Sequence, residues 1–271
     1  MWYSRALQDP RERLIVVRHE QLLKVPLGDD ACRVKAKICF GRIFDEAVRM
    51  AASASGSKVG VALPISLAQL GGGFMSGIES KGSSQRTEEE ACMRSTLFRL
   101  LRRAANGHAE GAQRDSDASG RRVPFPESGI LQCGPVRVFR DTVANGYVML
   151  QQEVELTVFC YWLPNLNAPS LDGRVSGVEE FIGPAIGPID PSAYILRTRQ
   201  KLETLLHTVS PLGLTHLLVS DDGVAEAGGQ AKHFGQAFLA ALATTVRKPM
   251  PSVSVLGSAA FVHTVHKRMV Q

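Results

Sequence analysis

Residues 59–63, Val-Gly-Val-Ala-Leu, form a nearly continuous apolar run that stops at Pro64. Such a run is what a strand covered on both faces requires, and it places a sheet between two layers. The chain then reaches Gly71, Gly72 and Gly73, which expect a loop at the end of that strand. Without Cβ atoms, their backbone N–H groups can approach a phosphate or ribose. Beyond them Thr87, Glu88, Glu89 and Glu90 read as T-x-x-E, a capping box in which the Thr87 hydroxyl takes an orphan N–H and Glu90 reaches back to the cap. Cys92, Met93, Thr96, Leu97, Leu100, Leu101 and Ala104 recur at helical spacing, with Arg94, Arg99, Arg102 and Arg103 on the other face, so a helix is expected from about Glu88. The plainer reading of the three glutamates is a solvated first turn that complements the helix dipole.

The rest of the chain alternates in the same way. Val34, Ala36, Ile38 and Phe40 alternate with polar neighbours as a strand does, and Ile43, Phe44, Ala47, Val48 and Ala51 then switch to helical spacing. Residues 106–122 lack apolar periodicity and read as a flexible surface loop that contributes nothing to the fold. Residues 136–139, 147–150 and 154–161 are three strand candidates, with Asn145-Gly146 as a tight turn between the first two. Residues 169–191 read as a Gly- and Pro-rich loop. A helix over 194–209 with Ile195, Leu196, Leu202, Leu205 and Leu206 inward, a strand over 214–219, a Gly-rich turn over 221–230, a helix over 231–246 and a strand over 252–257 follow. Strands alternating with helices indicate an α/β fold with a mixed sheet between helical layers. In such sheets ligands sit beyond the carboxyl ends of strands, where both glycine-bearing turns fall.

Composition narrows the partners. Of 271 residues, 31 are Lys or Arg and 26 Asp or Glu, a formal charge of +5 that suits an anionic ligand but is too scattered to signal nucleic acid. Cys32, Cys39, Cys92, Cys133 and Cys160 lack C-x-x-C spacing and favour free thiols in a reducing compartment, cytoplasmic or a host cytosol into which the protein is delivered, over disulfides or zinc. Residues 1–13 hold no apolar core of a signal peptide and no run reaches transmembrane length, so a soluble protein without membrane contact is expected. His207, His216 and His233 fall in regular elements and read as structural. His263 and His266 lie three apart, but a frayed basic tail is the simpler expectation there.

The motifs together resemble a family. GGGF (71–74) followed by TEEEACMRSTLF (87–98) is similar to the signature of the poly(ADP-ribose) glycohydrolase branch of the macrodomain superfamily, where GGG and Gln-Glu-Glu precede a similar helix. VKAKICFGRIFDEAVRM (34–50), KVGVALPISLAQL (58–70), GPVRVFRD (134–141), VFCYWLPNLN (158–167) and LLVSDDGVAEA (217–227) resemble further family segments in order. The resemblance implies a macrodomain-like three-layer α/β/α domain over residues 34–271, with 1–33 as an N-terminal extension. It further implies ADP-ribose or an ADP-ribosylated protein as partner, no metal or other cofactor, and ADP-ribosyl glycohydrolase activity. Oligomeric state is not indicated.

Residue by residue, the resemblance implies that Gly71, Gly72, Gly73 and Phe74, with Gly223, Val224 and Ala225, hold the distal ribose and pyrophosphate. Anchoring on Arg94-Ser95-Thr96-Leu97-Phe98 puts Thr87 on the family's Gln, Glu88 on its first Glu as ribose-binding partner, and Glu89 on its second as general acid/base. A register one residue later gives Glu89 and Glu90. The family's Asn-Phe-Ala-Ser/Asn reads Leu63-Pro64-Ile65-Ser66 here, leaving Ser66 as a partial substitute. The second loop lacks one glycine and an aromatic and gains Glu226. Asp221 and Asp222, at the mouth of a strand, are added as an acidic pair for which turn chemistry competes with function. The changed loops keep a non-catalytic ADP-ribose-binding module open as the alternative.

Overall fold

The computed structural model describes residues 9–22, 36–53, 56–66, 70–71, 83–113, 115–116, 122–123, 125–167, 187–245 and 250–269. Nine strands are β1 (Arg13–Val17), β2 (Ala36–Ile38), β3 (Val59–Pro64), β4 (Asp115–Ser116), β5 (Arg122–Val123), β6 (Ile130–Arg140), β7 (Met149–Tyr161), β8 (His216–Ser220) and β9 (Ser252–Leu256). The helices are α1 (His19–Leu22), α2 (Ile43–Ser53), α3 (Ser83–Arg94), α4 (Leu97–Ala105), α5 (Pro191–Val209), α6 (Ala231–Thr245) and α7 (Ala259–Met269).

Seven strands form one mixed sheet in the order β1-β6-β7-β3-β8-β9-β2, while β4 and β5 pair separately. Strands β7, β3, β8, β9 and β2 run parallel; β6 pairs antiparallel with β7, and β1 pairs antiparallel with β6 at the edge. All six residues of β3 are buried, as its apolar run demands. Gly60 is needed within it because a Cβ there would stand 2.6 Å from Leu214 and 3.0 Å from Phe159. One face of the sheet packs on α2, α3 and α4 through Phe44, Cys92, Leu97 and Leu101. The other packs on α5, α6 and α7 through Leu205, Phe234, Phe238 and Phe261. The expected three-layer α/β/α arrangement with a central mixed sheet is therefore the observed one.

Several local expectations are corrected. Residues 147–161 are not two strands: β7 runs unbroken over 13 residues, and a short 3-10 turn at Val143–Asn145 with Gly146 at φ 67° joins it to β6. Phe40 does not continue β2 inward, because the strand ends at Ile38 and Phe40 is 88% exposed. Leu196 faces solvent, and α5 begins at Pro191, where Asp190 caps it by accepting from the Ser192 and Ala193 amides and proline fills the first turn. The expected frayed tail is helix α7, held by buried Phe261 and Val265, with His263 and His266 exposed.

The loop 106–122 is not idle. Ala109 is buried, and Glu110 donates to the Leu14 carbonyl and accepts from the Val16 amide, which extends the β1 edge. Strand β1 itself lies within the segment assigned to an N-terminal extension, yet it is the outer strand of the sheet. The capping box also fails. Helix α3 starts at Ser83, so Thr87 and Glu90 lie inside it, and a break at Ser95-Thr96 separates it from α4.

Candidate active site

The first loop is anchored from the helix side. Strand β3 ends at Pro64, and the Ser66 and Gly71 amides each donate to one oxygen of Glu88, both at 2.7 Å. Glu88 is 1% exposed, so a carboxyl group in α3 closes the two ends of the turn that leaves β3. Burial pushes this carboxyl up to about 8; the two amides pull it down, and the neighbouring Glu89 charge adds to the rise. Beneath it lie the buried thiols of Cys92 and Cys160, themselves pushed up by burial first and by the charge of Glu88 as well. Gly71 sits at φ 81°, and a Cβ there would stand 2.6 Å from the Phe98 ring, so both conformation and space require glycine. Gly72, Gly73 and Phe74 lie outside the described residues.

Successive residues of an α-helix are about 100° apart around its axis, so the three glutamates leave α3 in three directions. Glu88 points to the loop ends. Glu90, buried, pairs with Arg42 and with Arg94 at 3.1 Å, and Arg94 also pairs with Asp45. Arg94 is 1% exposed and stacks 5.3 Å over the Phe44 ring, which makes this a structural ion network. Glu89, which lies between them around the helix axis, is half-buried. Thr87 leaves on the flank of Glu88 opposite Glu89, and its hydroxyl donates to Asp222 Oδ2 at 3.3 Å.

The second loop follows β8, the strand beside β3. It is a succession of turns in which the amides of Val224, Ala227, Gly228 and Gly229 donate to Asp221, Gly223, Ala225 and Val224 carbonyls. Gly223 takes φ 80°. Val224 is buried in the core, so only its backbone is available to the loop's outer side, while Ala225 is exposed. The structure separates the two aspartates. Asp221 accepts from the Ser258 amide at 2.9 Å and hydroxyl at 2.5 Å, which holds Ser258 where its Oγ accepts from the Phe261 amide at the start of α7. Asp222 turns instead toward Thr87. Burial raises its carboxyl above the ordinary range, the Ser220 and Thr87 hydroxyls pull it back, and the Asp221 and Glu226 charges add to the rise.

Sequence reasoning missed three contributors. The segment after β7 braces the second loop: the Leu166 amide donates to the Ala227 carbonyl at 2.7 Å and the Asn167 side-chain amide to the Glu226 carbonyl at 2.8 Å, with Asn165 holding the Asn167 side chain at 2.8 Å. Lys201, fully buried on α5, donates to the Trp162 carbonyl at 2.9 Å with Glu127 3.6 Å away, and burial pushes it down to about 8. Tyr147 holds φ 55° at the β6–β7 turn. Its phenol is pushed up by burial and by the charges of Glu90 and, more weakly, Glu89, which sets it on the α3 flank of the site. Asn165 and Asn167 end the 158–167 motif and Tyr147 follows the Asn145-Gly146 turn, whereas Lys201 had no sequence signal. Among the described residues no group of three or more His, Cys, Asp or Glu could hold a metal, and no helix is long and apolar enough to cross a membrane.

The seven-stranded α/β/α fold is shared by solved structures of poly(ADP-ribose) glycohydrolases. The chain superposes on the poly(ADP-ribose) glycohydrolase of Deinococcus radiodurans in complex with ADP-ribose with a TM-score of 0.64 at 17% identity, covering 95% of both chains. With the enzyme from Thermomonospora curvata the TM-score is 0.62 at 18% identity, over 94% of this chain and 85% of that one. A structure of the latter bound to the inhibitor ADP-HPD gives 0.62 at 19% identity, over 94% and 84%. No protein-family model and no curated protein sequence matches the chain.

Proposed function

We propose that the protein is an ADP-ribosyl glycohydrolase that removes ADP-ribose from poly- or mono-ADP-ribosylated targets. The observation that carries this reading is the placement of the Glu88-Glu89 turn: one carboxyl is buried as the anchor of the first loop, while the next is half-buried beside it. ADP-ribose would lie along the carboxyl edge of the sheet, its distal ribose at Gly71–Phe74 and Ser66, its pyrophosphate against the backbone of Gly223, Val224 and Ala225. The parallel glycohydrolase structures hold ADP-ribose or an inhibitor on this fold.

Cleavage of the glycosidic bond passes through an oxocarbenium-like state. Glu89 as a carboxylic acid would protonate the departing oxygen, the C1–O bond would break, and the resulting carboxylate would then take a proton from the attacking water. Glu88 would contribute by fixing the loop and by setting the electrostatic surroundings of Glu89. Incubating the protein with mono- and poly-ADP-ribosylated proteins and measuring released ADP-ribose by mass spectrometry tests the reading. Glu89→Gln is expected to lower release by about 10² to 10⁴ while leaving ADP-ribose affinity within a few fold, because the near-isosteric amide neither donates a proton nor activates water. Full turnover in that variant would remove Glu89 from the mechanism. A binding module without hydrolysis is the second reading, favoured by the changed second loop and by Ser66 in place of the family's Asn; ADP-ribose binding without release would select it.

A further inference from the structure

Among the described residues, a side-chain contact joins the glutamate-bearing turn of α3 to the second loop across 135 residues of sequence, Thr87 Oγ1 to Asp222 Oδ2. Each partner is placed by something other than this contact. Thr87 sits in the helical turn that bears Glu88 and Glu89, next to the residue whose carboxyl is locked to the Ser66 and Gly71 amides. Asp222 opens the second loop, directly after Asp221, whose own carboxyl is committed to Ser258. The groups around Asp222 are Ser220, Asp221 and Glu226 of its own segment, Thr87 of α3, and Tyr161 of β7, whose phenol is affected by the Asp222 charge. None of those groups is basic. Helix rotation puts Glu89 on the other flank of Glu88 from Thr87, so Asp222 acts on Glu89 through the turn and not by touching it.

We propose that Asp222 is a positioning residue that ties the glutamate-bearing turn of α3 to the second glycine loop, so that a diphosphate seated in that loop fixes the placement of Glu89. The proposal rests on the ADP-ribose reading for its ligand, but not for the tether itself. At 3.3 Å the contact is long for a hydroxyl and a carboxylate, as catalytic contacts often are before a ligand binds, and closure of the loop around a diphosphate would shorten it.

The test uses the full chain with Thr87→Val, Asp222→Ala, their double variant, Asp222→Asn and Thr87→Ser. Thr87→Val and Asp222→Ala are each expected to lower kcat for ADP-ribose release about tenfold, with KM changed much less, and the double variant to be no slower than the slower single one. Asp222→Asn and Thr87→Ser, which retain an acceptor and a donor, are expected to stay within about threefold of the parent. Hydrogen exchange of the 83–94 segment supplies a readout independent of hydrolysis: faster exchange in Thr87→Val and Asp222→Ala than in the parent and the conservative variants. Additive losses, Asp222→Asn as slow as Asp222→Ala, or unchanged exchange in every variant would each overturn the tether. A parent protein that releases no ADP-ribose would defeat the hydrolase reading, while the exchange comparison would still decide the tether.

Discussion

Glu90 shows how much a helix-borne carboxylate depends on where its turn sits. A capping glutamate on an exposed first turn would contribute about 1 kcal/mol. Inside α3 it is instead a buried partner of Arg94, whose guanidinium is 1% exposed and, among the described residues, also meets Asp45, the Arg140 carbonyl and the Phe44 ring. Glu90→Gln is therefore expected to cost about 3 kcal/mol, because it leaves a buried cation short of charge. Denaturant unfolding reads this directly, and a loss below about 1 kcal/mol would return Glu90 to a surface role. Glu88 makes a different prediction. Burial pushes its carboxyl up to about 8 from the ordinary 4.5, so the folded state holds a proton that the unfolded state has already released in this interval. Its contribution to stability thus falls as pH rises from about 4.5 to about 8, by at most about 1.4 kcal/mol per pH unit. The stability difference between the parent and Glu88→Gln should shrink over that range. A pH-independent difference would show that the buried carboxyl does not titrate there.

At the scale of elements, the outer strand β1 and the loop after α4 support each other. Edge strands present unpaired backbone groups, and Glu110 satisfies two of them while Ala109 packs beneath. Deleting residues 106–122 is accordingly expected to lower the thermal midpoint by about 5 °C, from roughly two lost backbone hydrogen bonds and the uncovered apolar surface. An unchanged midpoint in a calorimetric scan would mean that the β1 edge is held without the loop. Similar reasoning applies where β9 meets α7. Gly257 at φ 127° brings its Cα against the Asp221 carboxylate, and that contact lets one aspartate hold Ser258 at the start of α7 while its neighbour faces Thr87.

For the whole molecule, the parallel strands β7, β3, β8, β9 and β2 set their carboxyl ends along one edge, and both glycine turns emerge from adjacent strands there. A ligand that bridges the turns binds only the folded state and must stabilise it. ADP-ribose at about one hundred times its dissociation constant is expected to add about 2.7 kcal/mol, a rise of about 5 °C or more in the midpoint. Absence of any shift with the protein folded and ligand at millimolar concentration would remove both the hydrolase and the binding-module readings.

What the sequence determined by itself was the periodic and the local. The apolar run of β3, the helical spacing of α2 and α6, the turn after β8 and the order of motifs specify a layered α/β chain, because hydrophobic period follows from which faces are covered. Glycines at residues 71 and 223 were legible for the same reason: a backbone with positive φ tolerates little else. Tertiary structure decided what depends on contacts between distant segments. Three consecutive glutamates look alike in sequence, yet one anchors a loop through Ser66 and Gly71, one balances Arg94, and one remains half-buried between them. The two adjacent aspartates divide between Ser258 and Thr87 in the same way. Helix α3 begins before Thr87 because its buried face is fixed by Ala91 and Cys92 against the core, and that packing outweighs a capping signal contributing only about 1 kcal/mol.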